Sequence, residues 1–162
     1  QRVAETGPTR ERQIPEIAGG DWERGRQVFN SAQAACAACH QVRGQGGVIG
    51  PDLSNLVHRD YASVLQDIVN PSAAINPDRL AYSLELKSGG SVQGMILDET
   101  PSEYVVGDAA GATRRIAKSD IASMKASAVS LMPTGLWENL NDGQRRDLMT
   151  FLLTEPTAPL AR

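Results

Sequence analysis

The chain has 162 residues, of which 41% are hydrophobic and 22% are charged, a composition typical of a soluble globule with one domain or one domain and a sizeable insertion. A formal net charge of −3 argues against a nucleic-acid-binding surface and against strong attraction to a membrane. No apolar run approaches the roughly 20 residues of a membrane-spanning helix, and no signal peptide opens the chain. We therefore expect a mature or excised fragment without a membrane span.

Prolines and glycines interrupt the start of the chain, so residues 1–20 are predicted to form a linker or tail. A helix is predicted from Asp21, whose carboxylate can cap the first turn. Behind this cap, apolar or small residues recur at helical spacing, at Trp22, Gly25, Val28, Phe29 and Ala32.

The predicted helix leads into the sequence Cys36-Ala37-Ala38-Cys39-His40. C-x-x-C-H is the attachment sequence of a c-type haem. Two thiols at this spacing can each add to one vinyl group of the same porphyrin, and the next residue carries its imidazole under the iron as the proximal ligand. We therefore predict one haem c, bound covalently through Cys36 and Cys39, with His40 as an iron ligand.

Two other chemistries use a C-x-x-C pair. A redox dithiol leaves His40 unexplained, and a zinc site needs two more ligands although His58 is the only other histidine or cysteine. Because haem is attached covalently outside the cytoplasm, the haem prediction also places the protein in the periplasm or elsewhere after export.

A glycine-rich loop over residues 44–50 follows the motif and ends in Gly50-Pro51-Asp52-Leu53. A second helix is predicted from Asp60 as N-cap to Asn70. From Leu80 the apolar period changes to two, and short strands are predicted over residues 80–87, 92–97, 104–106 and 113–116. Residues 78–125 are thus predicted to form an inserted antiparallel β unit, because three or four strands can be stable where one hairpin is not.

The helical pattern returns near the end of the chain. Asn141 and Gln144 have the spacing of a capping box, and the helix they begin is predicted to end before Pro156. The fold class predicted is mostly α over residues 21–77 and 126–156, interrupted by the β unit. We expect that unit to be dispensable for haem binding but important for partner docking or for placing the loop that carries Met132.

The second axial ligand of the iron is predicted to be Met132. It lies in Leu131-Met132-Pro133, between the β unit and the last helix, where a loop stiffened by proline can fold over the haem. Met124 is the main competitor. The other candidate ligands are Met95, Met149 and His58. Each has a simpler interpretation: core filling for Met95 and Met149, and a surface or capping role for His58.

Four further residues are candidate haem contacts. The carbonyl of Pro51 is well placed to accept the other ring N–H of His40, and Leu53 would pack near the proximal face. Arg59 or Trp137 could bond a haem propionate, although a solvated charge and a packed aromatic ring are the alternative interpretations of these two residues.

These residues resemble a class I cytochrome c. That family has a glycine followed four residues later by an aromatic, here Gly25 and Phe29, in a helix before C-x-x-C-H, then a Gly-Pro-x-Leu segment. Its last helix crosses the first through an aromatic and a leucine, here Phe151 and Leu152, and is preceded by the methionine ligand. The resemblance spans residues 20–75 and 126–155 and implies a cytochrome c fold with an inserted β unit.

A narrower resemblance is to the haem-binding domain of planctomycete and verrucomicrobial type, carried by segments such as Asn70-Pro71-Ser72 and Leu131-Met132-Pro133. That domain commonly ends large exported proteins with a β-propeller, dehydrogenase-like region or helical repeats. The resemblance implies electron transfer from an attached or neighbouring dehydrogenase to a cytochrome or oxidase acceptor.

The function predicted is one-electron transfer through one haem, without catalytic turnover, since iron with two axial ligands has no free site. The alternative is a sensor or binder of CO, NO or O₂ in which the distal ligand is labile or absent. A haem peroxidase is disfavoured because no distal acid–base pair is evident.

Overall fold

The structure is a computed structural model and describes residues 14–156. Its regular elements, apart from short 3₁₀ turns, are α1 (Trp22–Asn30), β1 (Gln41–Val42), β2 (Gln45–Gly46), α2 (Tyr61–Val69), β3 (Ala81–Leu86), β4 (Ser91–Glu99), β5 (Glu103–Gly107), β6 (Thr113–Ala117), β7 (Ile121–Ala126) and α3 (Asp142–Leu153).

All three helices begin where side-chain caps were predicted. The Asp21 carboxylate accepts the backbone N–H of Arg24 at the start of α1, and Asp60 begins α2 in the same way. At α3 both bonds of the capping box between Asn141 and Gln144 are present. These caps satisfy amide donors that have no partner within the helix.

The main core lies where α1 crosses α3. A Cβ at Gly25 would overlap the backbone carbonyl of Asp147, so glycine is what lets the two helices approach this closely. The Phe151 ring lies 4.9 Å from the Trp22 ring and 5.2 Å from the Phe29 ring, centroid to centroid. The contact expected between Phe151 and the first helix is therefore confirmed.

The linker prediction is wrong for residues 14–20. Pro15–Ile17 form a 3₁₀ turn, Ile17 is only 8% exposed, and it packs in the helical core. A Cβ at Gly20 would overlap the Thr150 side chain on α3. Prolines and glycines exclude a long helix here but do not exclude a packed turn. Residues 1–13 of the predicted linker lie outside the described residues.

The β unit is a five-stranded antiparallel sheet in the order β6-β5-β4-β3-β7. Four strands follow one another, and β7 returns to pair with β3 beside the first hairpin. One face of the sheet has its own core, built from Leu84, Val92, Val106 and Ile116. The first four strands were predicted, but β7 was not, because its residues are mostly exposed and its structure depends on pairing with β3.

A short hairpin, β1–β2, that the sequence did not predict leads into the glycine-rich loop. Arg43 and Gly44 both have positive φ, at 52° and 78°, as the tight turn of a two-residue hairpin requires. Among the described residues, no helix has the length and apolar character needed to cross a membrane.

Candidate haem site

The cysteine–histidine motif forms a tight turn directly after α1. Cys36–Ala38 are one 3₁₀ turn, and the carbonyl of Cys36 accepts the N–H groups of Cys39 at 3.2 Å and His40 at 2.9 Å. The turn brings the three motif side chains to the wall of one cavity. Both thiols are free, and each is half-buried.

This cavity has a volume of about 500 Å³, within the range of roughly 300–1,000 Å³ that holds small-molecule ligands and cofactors. All eight residues predicted for the site line it: Cys36, Cys39, His40, Pro51, Leu53, Arg59, Met132 and Trp137. They come from four separate stretches of the chain, which the helical core and the loops around it bring together.

His40 is oriented by the loop that follows the β1–β2 hairpin. Its Nδ1 lies 2.8 Å from the carbonyl oxygen of Pro51, so the predicted hydrogen bond is present. Nδ1 must be the donor, because a carbonyl only accepts, and Nε2 is then left as the nitrogen that can bind a metal. Burial lowers the pKa of His40, the bond to Pro51 opposes this, and the nearby charge of Arg79 lowers it further.

Gly50 packs closely against the same imidazole. A Cβ at this position would be 2.5 Å from Cε1 and 2.6 Å from Nδ1 of His40. The Gly50 N–H also donates to the carbonyl oxygen of Cys39 at 2.7 Å. The loop therefore holds the ring by one hydrogen bond and by the close approach of the Gly50 backbone.

The two thiols differ from those of a redox dithiol. Burial raises the pKa of Cys36 to about 11, and burial together with the negative charge of Asp108 raises the pKa of Cys39. Catalytic dithiols are made reactive by the opposite shift. A zinc site is not supported either, because residues 14–156 contain no group of three or more His, Cys, Asp or Glu side chains that could hold a metal ion.

The four methionines occupy different environments. Met132 lines the cavity. In its loop the Met132 N–H donates to the Ser130 hydroxyl at 3.2 Å, and the Ser130 backbone N–H donates to the Ser72 hydroxyl at 3.0 Å. Met124 is 37% exposed on β7 and is not among the cavity residues. Met149 is fully buried in the helical core, as predicted.

Met95 is the exception to the core-filling interpretation. It is half-buried on β4, belongs to neither apolar core, and lines the cavity. Strand periodicity placed it in the sheet, but no local signal showed that its face of the sheet meets the cavity. His58 is exposed and is absent from the cavity wall, in line with a surface role.

The charged lining of the cavity includes one arginine that the sequence reasoning did not single out. Arg59 lies in the wall with its guanidinium paired to Asp67 at 2.6 Å. Arg79 also lines the cavity and forms no ion pair within the described part of the chain. The Trp137 ring is covered by the Arg145 guanidinium, 5.5 Å from the ring centroid.

Residues 22–100 match the family model of cytochrome c. The match supports a cytochrome c domain, and with it a covalently bound c-type haem, iron binding and electron transfer in general. It includes the cysteine–histidine motif and Met95, but it stops before Met132 and α3. No curated protein matches the chain.

The cavity fits such a haem by its own chemistry. Two thiols and one imidazole face the same space from a single turn, and the imidazole presents Nε2 because Nδ1 is held by Pro51. When bound there, the haem supplies an iron that accepts and releases one electron. Cys36 and Cys39 would attach it, the bond to Pro51 would orient His40 beside it, and Leu53 and Leu136 are apolar side chains of the same cavity wall.

Proposed function

We propose that this chain is a one-electron carrier with a single haem c, attached through Cys36 and Cys39 and bound axially by His40 and Met132. The observation that carries the proposal is that all four side chains line one cavity in which Pro51 already orients the His40 ring. A methionine sulfur opposite an imidazole favours Fe(II) and raises the reduction potential. With His40 and Met132 both held as ligands, such a haem would exchange single electrons and would have no free position for a substrate.

The three helices and the loops between them would then be a cytochrome c fold interrupted by the sheet, of the planctomycete and verrucomicrobial type. Leu53 would pack on the proximal side, and Arg59 or Trp137 would contact a propionate. The protein would work in the periplasm or otherwise after export, between an attached or neighbouring dehydrogenase and a cytochrome or oxidase. The two free thiols in the cavity wall support covalent attachment over a freely exchanging cofactor.

The first experiment tests attachment. The holoprotein, produced with a haem-maturation system, is extracted with acidified organic solvent, and the haem should remain with the protein. Cys36→Ala and Cys39→Ala should each leave one thioether or none. Haem that leaves the wild-type protein with the solvent would refute the c-type assignment.

The second experiment separates electron carrier from gas sensor. Ferrous spectra are recorded with and without CO. A tightly bound Met132 predicts little or no change on mixing, whereas an immediate and complete shift would show an accessible iron and would favour the sensor. Because Met132 lies in a loop outside any helix or strand, this measurement directly examines how firmly that loop closes the site.

A further inference from the structure

One row of residues crosses the sheet on the face opposite its core. Ala81 on β3 pairs with Met95 on β4, and Met95 pairs with Gly107 on β5. Directly paired residues share a face, and side chains alternate along each strand. Since Val92 belongs to the sheet core, this row, named here the wall row, points to the other side.

The wall row is covered although it does not belong to the sheet core. Ala81 is 1% exposed and Gly107 is buried. A Cβ at Gly107 would lie 2.7 Å from Cγ1 of Ile49. Ile49 is 2% exposed, comes from the loop that holds His40, and lines the cavity together with Met95. At Gly107 the second face of the sheet is thus packed against the loop that holds His40.

The β5–β6 turn makes a second contact with the haem site. Gly111 has a φ of +85°, and a Cβ there would lie 2.8 Å from the carbonyl oxygen of Ala38, between the two cysteines. The Asp108 carboxylate accepts the N–H groups of Ala110 at 2.9 Å and Ala112 at 3.0 Å, which stabilises the turn. Ala109, at the tip, lines the cavity.

We propose that the sheet is part of the haem-binding structure: the wall row and the β5–β6 turn shield the haem from water on the Ile49 and Cys39 side. This inference rests on the proposed function and reverses the expectation that the β unit is dispensable for haem binding. Met95 is the shielding side chain, and Gly111 lets the turn close against Ala38. Exclusion of water from a haem raises its reduction potential and slows the entry of external ligands.

The test compares ferric holoprotein variants by reduction potential and by the rate at which imidazole displaces the sixth ligand. Met95→Ala should lower the potential and speed imidazole entry several-fold, while the methionine–iron absorption band remains. Met95→Leu should restore wild-type values because it refills the space. Met124→Ala is the matched control, since it removes the same side chain from the same sheet at a position outside the cavity wall.

A second pair of variants covers the case in which Met95→Ala yields no holoprotein. Gly111→Ala and Gly90→Ala both place a side chain at positive φ, +85° and +81°, but a Cβ at Gly90 meets nothing within 4 Å. Gly111→Ala should change the potential and the imidazole rate in the same directions as Met95→Ala, and Gly90→Ala should change neither beyond a loss of stability.

Three results would overturn the inference. Met95→Ala could match Met124→Ala in both measurements, or Gly111→Ala could match Gly90→Ala. Met95→Ala could also abolish the methionine–iron band while Met132→Ala keeps it, which would make Met95 a ligand and not a shield. Failure of the proposed function is distinct, because it would appear in the wild-type protein as haem that acidified solvent removes.

Discussion

Asp147 on α3 accepts a 2.8 Å hydrogen bond from the backbone N–H of Asp21, the residue that caps α1. The other carboxylate oxygen of Asp147 accepts Arg24 Nε at 2.9 Å. Asp147 is 6% exposed, so one buried carboxylate joins the two helices that form the main core and binds the residue that caps α1.

This relationship predicts a pH-dependent contribution to stability. Burial raises the pKa of Asp147, but the bonds from Arg24 and from the Asp21 N–H outweigh burial and lower it overall. A carboxyl with a lowered folded-state pKa stabilises the fold fully above its unfolded pKa of about 3.9, and the stabilisation is lost as the pH falls through the folded value.

Asp147→Asn should therefore lower the free energy of unfolding at pH 7 by about 1–3 kcal/mol, the cost of disrupting bonds to a buried group. The deficit should shrink as the pH falls below about 4. Chemical denaturation of the holoprotein at several pH values measures it. Asp142→Asn is the control, since the Asp142 side chain on the same helix is 99% exposed; an equal loss in both variants would contradict the prediction.

Gly50→Ala should disturb the proximal ring. The new Cβ would lie 2.5 Å from Cε1 of His40, so the ring must move and its bond to Pro51 must lengthen. We expect a lower yield of holoprotein and an altered Soret circular dichroism band. Gly143→Ala, where a Cβ would meet only the Asn141 side chain at 3.4 Å, should leave both unchanged. Normal holoprotein from Gly50→Ala would show that the loop tolerates the ring displacement.

Met132→Ala tests the distal ligand. The variant should lose the long-wavelength methionine–iron band of the ferric protein and should bind added imidazole readily, because the sixth position is open. Met124→Ala should do neither, since Met124 is on the surface of β7. The reverse pattern would require a large rearrangement of the sheet and would refute the assignment of Met132.

Electron exchange should be fast and should depend only modestly on salt. The net charge of −3 is small, so long-range steering of a partner is weak and ionic strength has little to screen. Stopped-flow reduction by a small donor, followed by oxidation by a soluble acceptor cytochrome, measures both properties across ionic strength. Slow exchange with both reagents, combined with tight CO binding to the ferrous protein, would favour the gas sensor.

Local patterns in the sequence were sufficient for the features that depend on neighbouring residues. The cysteine–histidine motif implied haem attachment because both thiols and the imidazole belong to one turn. Asp21, Asp60 and Asn141 marked helix starts because each carries an acceptor at the position where the first amides need one. Alternation of apolar residues indicated four of the five strands of the sheet because strand side chains alternate between two faces.

The tertiary structure alone decided which distant surfaces meet. Ile17 packs in the helical core, β7 pairs with β3, and Asp147 on α3 binds the cap of α1. The same is true of Met95. The alternating pattern placed Met95 in a strand, but it could not show which part of the protein packs against that face of the sheet. Periodicity tells which side of an element is apolar, whereas its partner depends on contacts between residues far apart in the chain. Here those contacts place Met95 in the wall of the cavity that His40 and Met132 share.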